Sequence, residues 1–162
     1  ELTGRENVQV ALISHRNKSL RMFRVAARDR ALRQEADEIL ARLGLDGVAD
    51  QRTGTLSYGD KRLLEIAIVL ATEPELVLLD EPTAGLTPDE TKHVIRLLAK
   101  LREDRPYTFF ITEHDMSVVF ELAHRVFVMH RGGLLAAGTP QEVRDDPEVR
   151  TAYLGDEDES AA

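Results

Sequence analysis

The stretch LVLLDEPTAGLTPDE, residues 76–90, limits what this chain can fold into more than any other. It opens with four consecutive apolar residues, Leu76, Val77, Leu78 and Leu79, set between Pro74-Glu75 and the adjacent carboxylates Asp80 and Glu81. A short apolar run bounded in this way predicts a strand buried on both faces. In open α/β sheets ligands sit beyond the carboxyl ends of the strands, so the two acids are carried to the place where chemistry is done. Taken alone, such a pair is also what a solvated strand end looks like. The following residues favour a built feature: Pro82 ends the strand, Gly85 permits a turn, and Thr87-Pro88-Asp89-Glu90 reads as a helix start. Thr87 is the N-cap, Pro88 takes the first helical position and Glu90 closes a capping box.

The remaining elements follow from periodicity. Helices are expected through Val8, Leu12 and Ile13, over 28–43 with Gly44 as a left-handed C-cap, and after LSYGDKR through Leu63, Leu64, Ile66, Ala67, Val69 and Leu70. The Thr87-capped helix runs to about residue 103. Residues 107–112, YTFFIT, predict a second strand, followed by Glu113-His114-Asp115 and a helix through Met116, Val118, Val119, Phe120 and Leu122. A third strand over 125–129, a Gly132-Gly133 turn and a return strand over 134–137 come next. Thr139-Pro140-Gln141-Glu142 and Asp146-Pro147-Glu148 begin two short helices. Strands alternating with helices predict an α/β fold with a mostly parallel sheet flanked by helices. The basic stretch 15–33 reads as a solvated face or a connection, and 155–162, GDEDESAA, as an acidic disordered tail.

The chain has 162 residues, enough to bury a core, and a formal net charge of -8, which argues against a general nucleic-acid binder. It has no cysteine, so disulfides and thiolate metal sites are excluded. No apolar run approaches the roughly 20 residues that span a bilayer. Attachment to a membrane would come through a partner.

Three constellations can carry chemistry. Hydrolysis of a nucleoside triphosphate needs a metal, a group that orients or activates water, and donors for the transferring phosphoryl. Asp80 suits Mg²⁺ as a hard carboxylate, and Glu81 suits the base, because adjacent strand residues point apart. His114 follows a strand expected beside the Asp80 strand, so it emerges at the same sheet edge, where it could donate to a γ-phosphate; a surface or capping role is the plainer alternative. Ser57 and Gly59 in LSYGDKR open a helix whose amide end can hold phosphate or can simply begin a helix. His15, His93, His124 and His130 have no comparable placement.

Together these segments resemble the ATP-binding cassette (ABC) ATPases, a P-loop NTPase-like family. Residues 56–62 resemble its signature motif, 76–81 its Walker B strand, 84–89 its D-loop and 113–115 its H-switch, in the family's order and spacing. LSYGDKRLLEIA, AGLTPDET, EHDM and AAGTPQEVRDDPEVRTAYLG resemble most the ATP-binding subunits of branched-chain amino acid importers. The resemblance implies an ATPase with ATP and Mg²⁺ as ligands. Asp80 would serve the magnesium ion through water, Glu81 would be the catalytic base and His114 would grip the γ-phosphate. Ser57, Tyr58 and Gly59 would contact ATP held by an opposite subunit, with Gly85 and Thr87 in the D-loop. It implies a second ABC ATPase subunit in a homo- or heterodimer, transmembrane permease subunits, an indirectly linked substrate-binding protein, no nucleic acid, and a peripheral place on the cytoplasmic face of the membrane. The expected organisation is a helical subdomain portion over 1–56, a catalytic core portion over 57–138, C-terminal helices over 139–154 and the tail.

The chain departs from the family pattern in several places. Tyr58 replaces the second signature glycine, Asp60 stands where glutamine is common, and Thr87 replaces the D-loop aspartate. No G-x-x-x-x-G-K-[ST] phosphate loop occurs in these residues; GTLSYGDK at 54–61 has Asp60 before the lysine and Arg62 after it. The chain therefore resembles the C-terminal part of the domain, beginning mid-domain, and by itself is expected to be inactive. The family's phosphate-loop strand lies beside the strand before His114, so a gap or unpaired edge is expected there. Two alternatives stand beside the importer subunit: a truncated non-hydrolysing ABC fragment, and a soluble ABC ATPase acting on nucleic acid or ribosomes.

Overall fold

Caps fix where the elements begin. In the computed structural model, which describes residues 1–16, 29–104 and 107–154, Thr3 closes a capping box with Glu6 and starts α1, Gly4–His15. Asp29 caps α2, Arg30–Arg42, and Ser57 caps α3, Tyr58–Leu70. Strand β1, Leu76–Asp80, leads to α4, Pro88–Asp104, and β2, Thr108–Thr112. Then come α5, Met116–Leu122, β3, Val126–His130, β4, Gly133–Gly138, α6, Pro140–Asp145, and α7, Pro147–Val149, which runs into a π-helical turn, Arg150–Leu154. The expected helices and strands are all present, with ends shifted by a residue or two. Most of the basic stretch and all of the acidic tail lie outside the described residues.

The chain divides into two compact units, Glu1–Thr112 and Glu113–Ala162. In the first, α1, α2 and α3 pack on one another through Val8, Leu12, Leu40, Leu43, Leu63, Leu64 and Ala67, all buried. The amides that α1 cannot satisfy internally go to a neighbouring turn: Gly4 N donates to Gln51 O at 3.1 Å and Arg5 N to Ala49 O at 2.9 Å. Arg5 also ion-pairs with Asp37 of α2 and with Asp50, clamping three segments at one guanidinium.

β1 and β2 form a two-stranded parallel sheet in the register Leu76↔Thr108 to Asp80↔Thr112. The strand before His114 thus lies beside the Asp80 strand, as expected. One expectation fails. β1 is not buried on both faces: Val77 is 1% exposed, but Leu78 on the opposite face is 68% exposed, with Leu76 and Phe110 exposed beside it. Side chains alternate along a strand, and among the described residues the cover lies on the Val77 side. The strands also fall into two separate sheets, β1-β2 and β3-β4, in place of one mostly parallel sheet; the α/β class holds.

In the second unit β3 and β4 form an antiparallel hairpin with an irregularity between Val128 and Met129. Its loop residues are Arg131 and Gly132, both at positive φ, so the turn lies one position before the expected Gly132-Gly133. Two such residues suit a turn whose twist matches the strands. Val126, Val128, Val143 and Val149 form the core, and the Tyr153 hydroxyl donates to Met129 O.

Val77→Ala should lower the unfolding free energy of the 162-residue chain by about 1.5 kcal/mol or more, two buried methyl groups at roughly 0.8 each plus a cavity. Leu78→Ala should change it by less than about 0.5 kcal/mol. Urea unfolding midpoints at unchanged slope check the contrast.

Candidate functional site

Asp80 ends β1 on its exposed face, and its Oδ1 accepts a hydrogen bond from the Thr112 hydroxyl across the sheet. The next residue does not continue the strand. Glu81 has φ +43, a left-handed backbone conformation that costs a non-glycine residue on the order of 1–3 kcal/mol. The turn is held by several hydrogen bonds. Glu81 N donates to Thr112 O at 3.0 Å, and Glu81 O accepts from Ala84 N at 3.1 Å. The strand therefore ends at Asp80, and the chain turns at Glu81.

Helix α3 meets this turn directly. Arg62, in the second turn of α3, donates from Nη2 to Asp80 O at 2.6 Å and to Glu81 O at 2.9 Å, and from Nε to Pro82 O at 3.3 Å. Its Nη1 donates to Glu65 Oε2 at 2.9 Å. Sequence reasoning missed Arg62, because its targets are main-chain carbonyls and no residue-type pattern marks those.

The segment from Gly85 to Glu90 joins the same assembly. Gly85 has φ +75, and a Cβ there would stand 3.3 Å from the Tyr58 ring. A Cβ on Gly59 would come within 2.9 Å of Glu90 Oε1, and Glu90 is not at liberty to move. Its Oε2 accepts from Thr87 N at 2.8 Å and from Thr87 Oγ1 at 2.7 Å. Tyr58 and Gly59 thus sit against Gly85 and the Thr87 capping box.

Ser57 has a second task. Its Oγ accepts from Asp60 N at 3.0 Å, as an N-cap does, and donates to Asp60 Oδ2 at 2.8 Å. The Asp60 carboxylate therefore holds the Ser57 hydroxyl proton.

His114 belongs to the second unit, whereas the acid pair belongs to the first. Its side chain is 73% exposed, and its Nδ1 lies 4.0 Å from the carboxylate of Glu113, whose side chain is 1% exposed. Asp115 caps α5, and the Ser117 hydroxyl, followed by backbone amides, holds its carboxyl below the usual range. Within the first unit Tyr58 thus lies against Gly85 and Gly59 against Glu90, and Arg62 ties α3 to the carbonyls of Asp80 and Glu81.

The Thr87 amide and hydroxyl hold the Glu90 carboxyl below its ordinary range. A depressed carboxylate stabilises the fold above its unfolded value, and the contribution is lost as pH falls through the folded value. Thr87→Ala keeps the amide bond and loses the hydroxyl, so the Glu90 titration midpoint should rise part of the way back. Carbon-detected NMR of the carboxyl checks this.

The family model for ABC transporters matches residues 2–84, and that for the branched-chain amino acid ATP-binding cassette transporters matches residues 134–159. The chain is 40% identical over 163 aligned residues to the high-affinity branched-chain amino acid transport ATP-binding protein LivG of Salmonella typhimurium, covering 96% of this chain and 63% of that protein. It is 40% identical to BraF of Pseudomonas aeruginosa, with the same coverage of both. Among solved structures it resembles the ADP conformation of an ATP-binding cassette of an ABC transporter, with a TM-score of 0.78 at 29% identity, over 96% of this chain and 63% of that one. The chain spans just under two thirds of the length of these relatives. On these matches the chain belongs to the ABC transporter family.

Proposed function

We propose that these residues are the larger part of the ATP-binding subunit of an ABC importer, coupling ATP hydrolysis to uptake of branched-chain or related amino acids. The observation that carries the reading is the junction of the signature helix with the strand-end acids: Asp80 and Glu81 stand at the carboxyl end of β1, tied to α3 through Arg62. The similarity to LivG and BraF supports the choice of cargo.

The residues present fit a magnesium nucleotide in part. Asp80 is an exposed carboxylate. A magnesium ion suits this arrangement, since it keeps waters and binds through one or two carboxylates plus phosphate oxygens. Bound there, it would neutralise charge on the phosphates. Asp80 would hold it through water. Glu81 would orient the attacking water and take its proton. Ser57, Tyr58 and Gly59 would present a helix N-terminus to ATP held by a second ABC ATPase subunit, and Gly85 and Thr87 keep that end in place. His114 would donate to the γ-phosphate. Further partners are the permease subunits and, through them, a substrate-binding protein. The subunit would sit peripherally on the cytoplasmic face, held by the permease; no helix among the described residues is long and apolar enough to cross a membrane.

No phosphate loop lies within these residues, and calorimetry of the 162-residue chain should detect no submillimolar Mg-ATP binding. In the full-length subunit assembled with its permease, Glu81→Gln should lower ATP turnover by about 100-fold or more while ATP still binds, the range for a lost general base. Uptake of labelled leucine should fall in parallel. Turnover within twofold of wild type would refute the assignment. Asp60→Asn should tighten ATP at the shared site, because it removes a like charge beside the phosphate. A lower KM for ATP in the assembled transporter is the expected result.

A further inference from the structure

We propose that Arg62 is a positioning residue for hydrolysis, acting through Glu81. This rests on the reading of Glu81 as the general base. The guanidinium reaches across from the second turn of α3 and holds the carbonyl oxygens of three consecutive residues, Asp80, Glu81 and Pro82, at 2.6, 2.9 and 3.3 Å. Those three peptides carry the metal carboxylate, the base and the proline that ends the strand. Bonds from a charged donor are stronger than bonds between neutral groups, and a planar fork can serve several acceptors at fixed angles.

The need for such a clamp is local. Glu81 occupies a left-handed conformation, which the chain does not hold without help. The Thr112 carbonyl fixes the Glu81 amide from the sheet side, and Arg62 fixes its carbonyl from the helix side. With both ends of the residue pinned, the direction of its Cα–Cβ bond is fixed, and so is the region its carboxylate can reach. Glu65, one turn along α3, accepts from Nη1 at 2.9 Å and keeps the fork facing the loop. The Arg62 side chain is 28% exposed, so water does not fully compete for it.

The arrangement also couples two functions. The N-terminus of α3 carries Ser57, Tyr58 and Gly59, which meet a nucleotide on the opposite subunit in the proposed dimer, and the same rigid helix carries Arg62. Any displacement of α3 as it seats on that nucleotide moves the donor that sets Glu81. Hydrolysis at one site would then respond to occupancy seen by the helix of the same subunit.

The test is a double-mutant cycle in the full-length subunit assembled with its permease, read as steady-state ATP turnover. Arg62→Met should lower kcat about 10-fold or more with KM for ATP within twofold, and Arg62→Lys should recover part of the loss. In a Glu81→Gln background Arg62→Met should cost nothing further, since the group it positions is gone. An equal loss in both backgrounds, or a change carried by KM alone, would overturn the proposal in favour of a general structural role. If Glu81→Gln itself leaves turnover unchanged, the assignment of the base fails, and the positioning role fails with it, by a result distinct from the others. In the 162-residue chain, NMR should show that Arg62→Met changes the HN–Hα coupling of Glu81 and speeds exchange of the Ala84 amide. Unchanged signals there would also count against the clamp.

Discussion

One peptide carries most of the consequences of this fold. Between Asp80 and Pro82 the backbone leaves β1, reverses through a left-handed Glu81, and is gripped from the sheet by Thr112 and from the helix by Arg62. Either grip alone would leave one end of the residue to relax toward the ordinary right-handed basin. Held at both ends, it keeps the left-handed conformation. The strain is local, and the elements that pay for it are the parallel register of β1 with β2 and the N-terminal half of α3.

The capping residues serve this peptide too. Ser57 begins α3, which sets how far along the helix Arg62 stands, and Thr87 begins α4 while fixing Glu90 against Gly59. Tyr58 over Gly85 closes the same circuit from the other side. The α3 N-terminus, the end of β1 and the turn that follows it are thus connected by direct contacts within the first unit.

Much of this was legible in the sequence. The order of elements, the Thr87 and Thr139 capping boxes and the pairing of β1 with the strand before His114 all followed from periodicity and helix-start grammar. What was not legible has physical reasons. The apolar run at 76–79 could not report that only one face of β1 is covered, because Leu78 is apolar whichever side it faces. Arg62 binds main-chain oxygens, and Ser57 shares its proton with Asp60, and neither interaction leaves a mark in residue types. The exchange of Gly132-Gly133 for Arg131-Gly132 as the turn depends on strand register, which composition does not fix. The family resemblance came from motifs in series, each of them weak alone.

The central proposal is that the acid pair serves a nucleotide held by its own subunit, while the α3 terminus serves one held by a second copy or a paralogous subunit. A structure of the full-length Glu81→Gln subunit with Mg-ATP tests it most directly. The account predicts a magnesium-bound water on Asp80, the residue at position 81 still left-handed beneath Arg62, and Ser57 and Gly59 of the other subunit against the γ-phosphate. Magnesium held away from Asp80, or an α3 terminus facing solvent in the nucleotide-bound dimer, would contradict it.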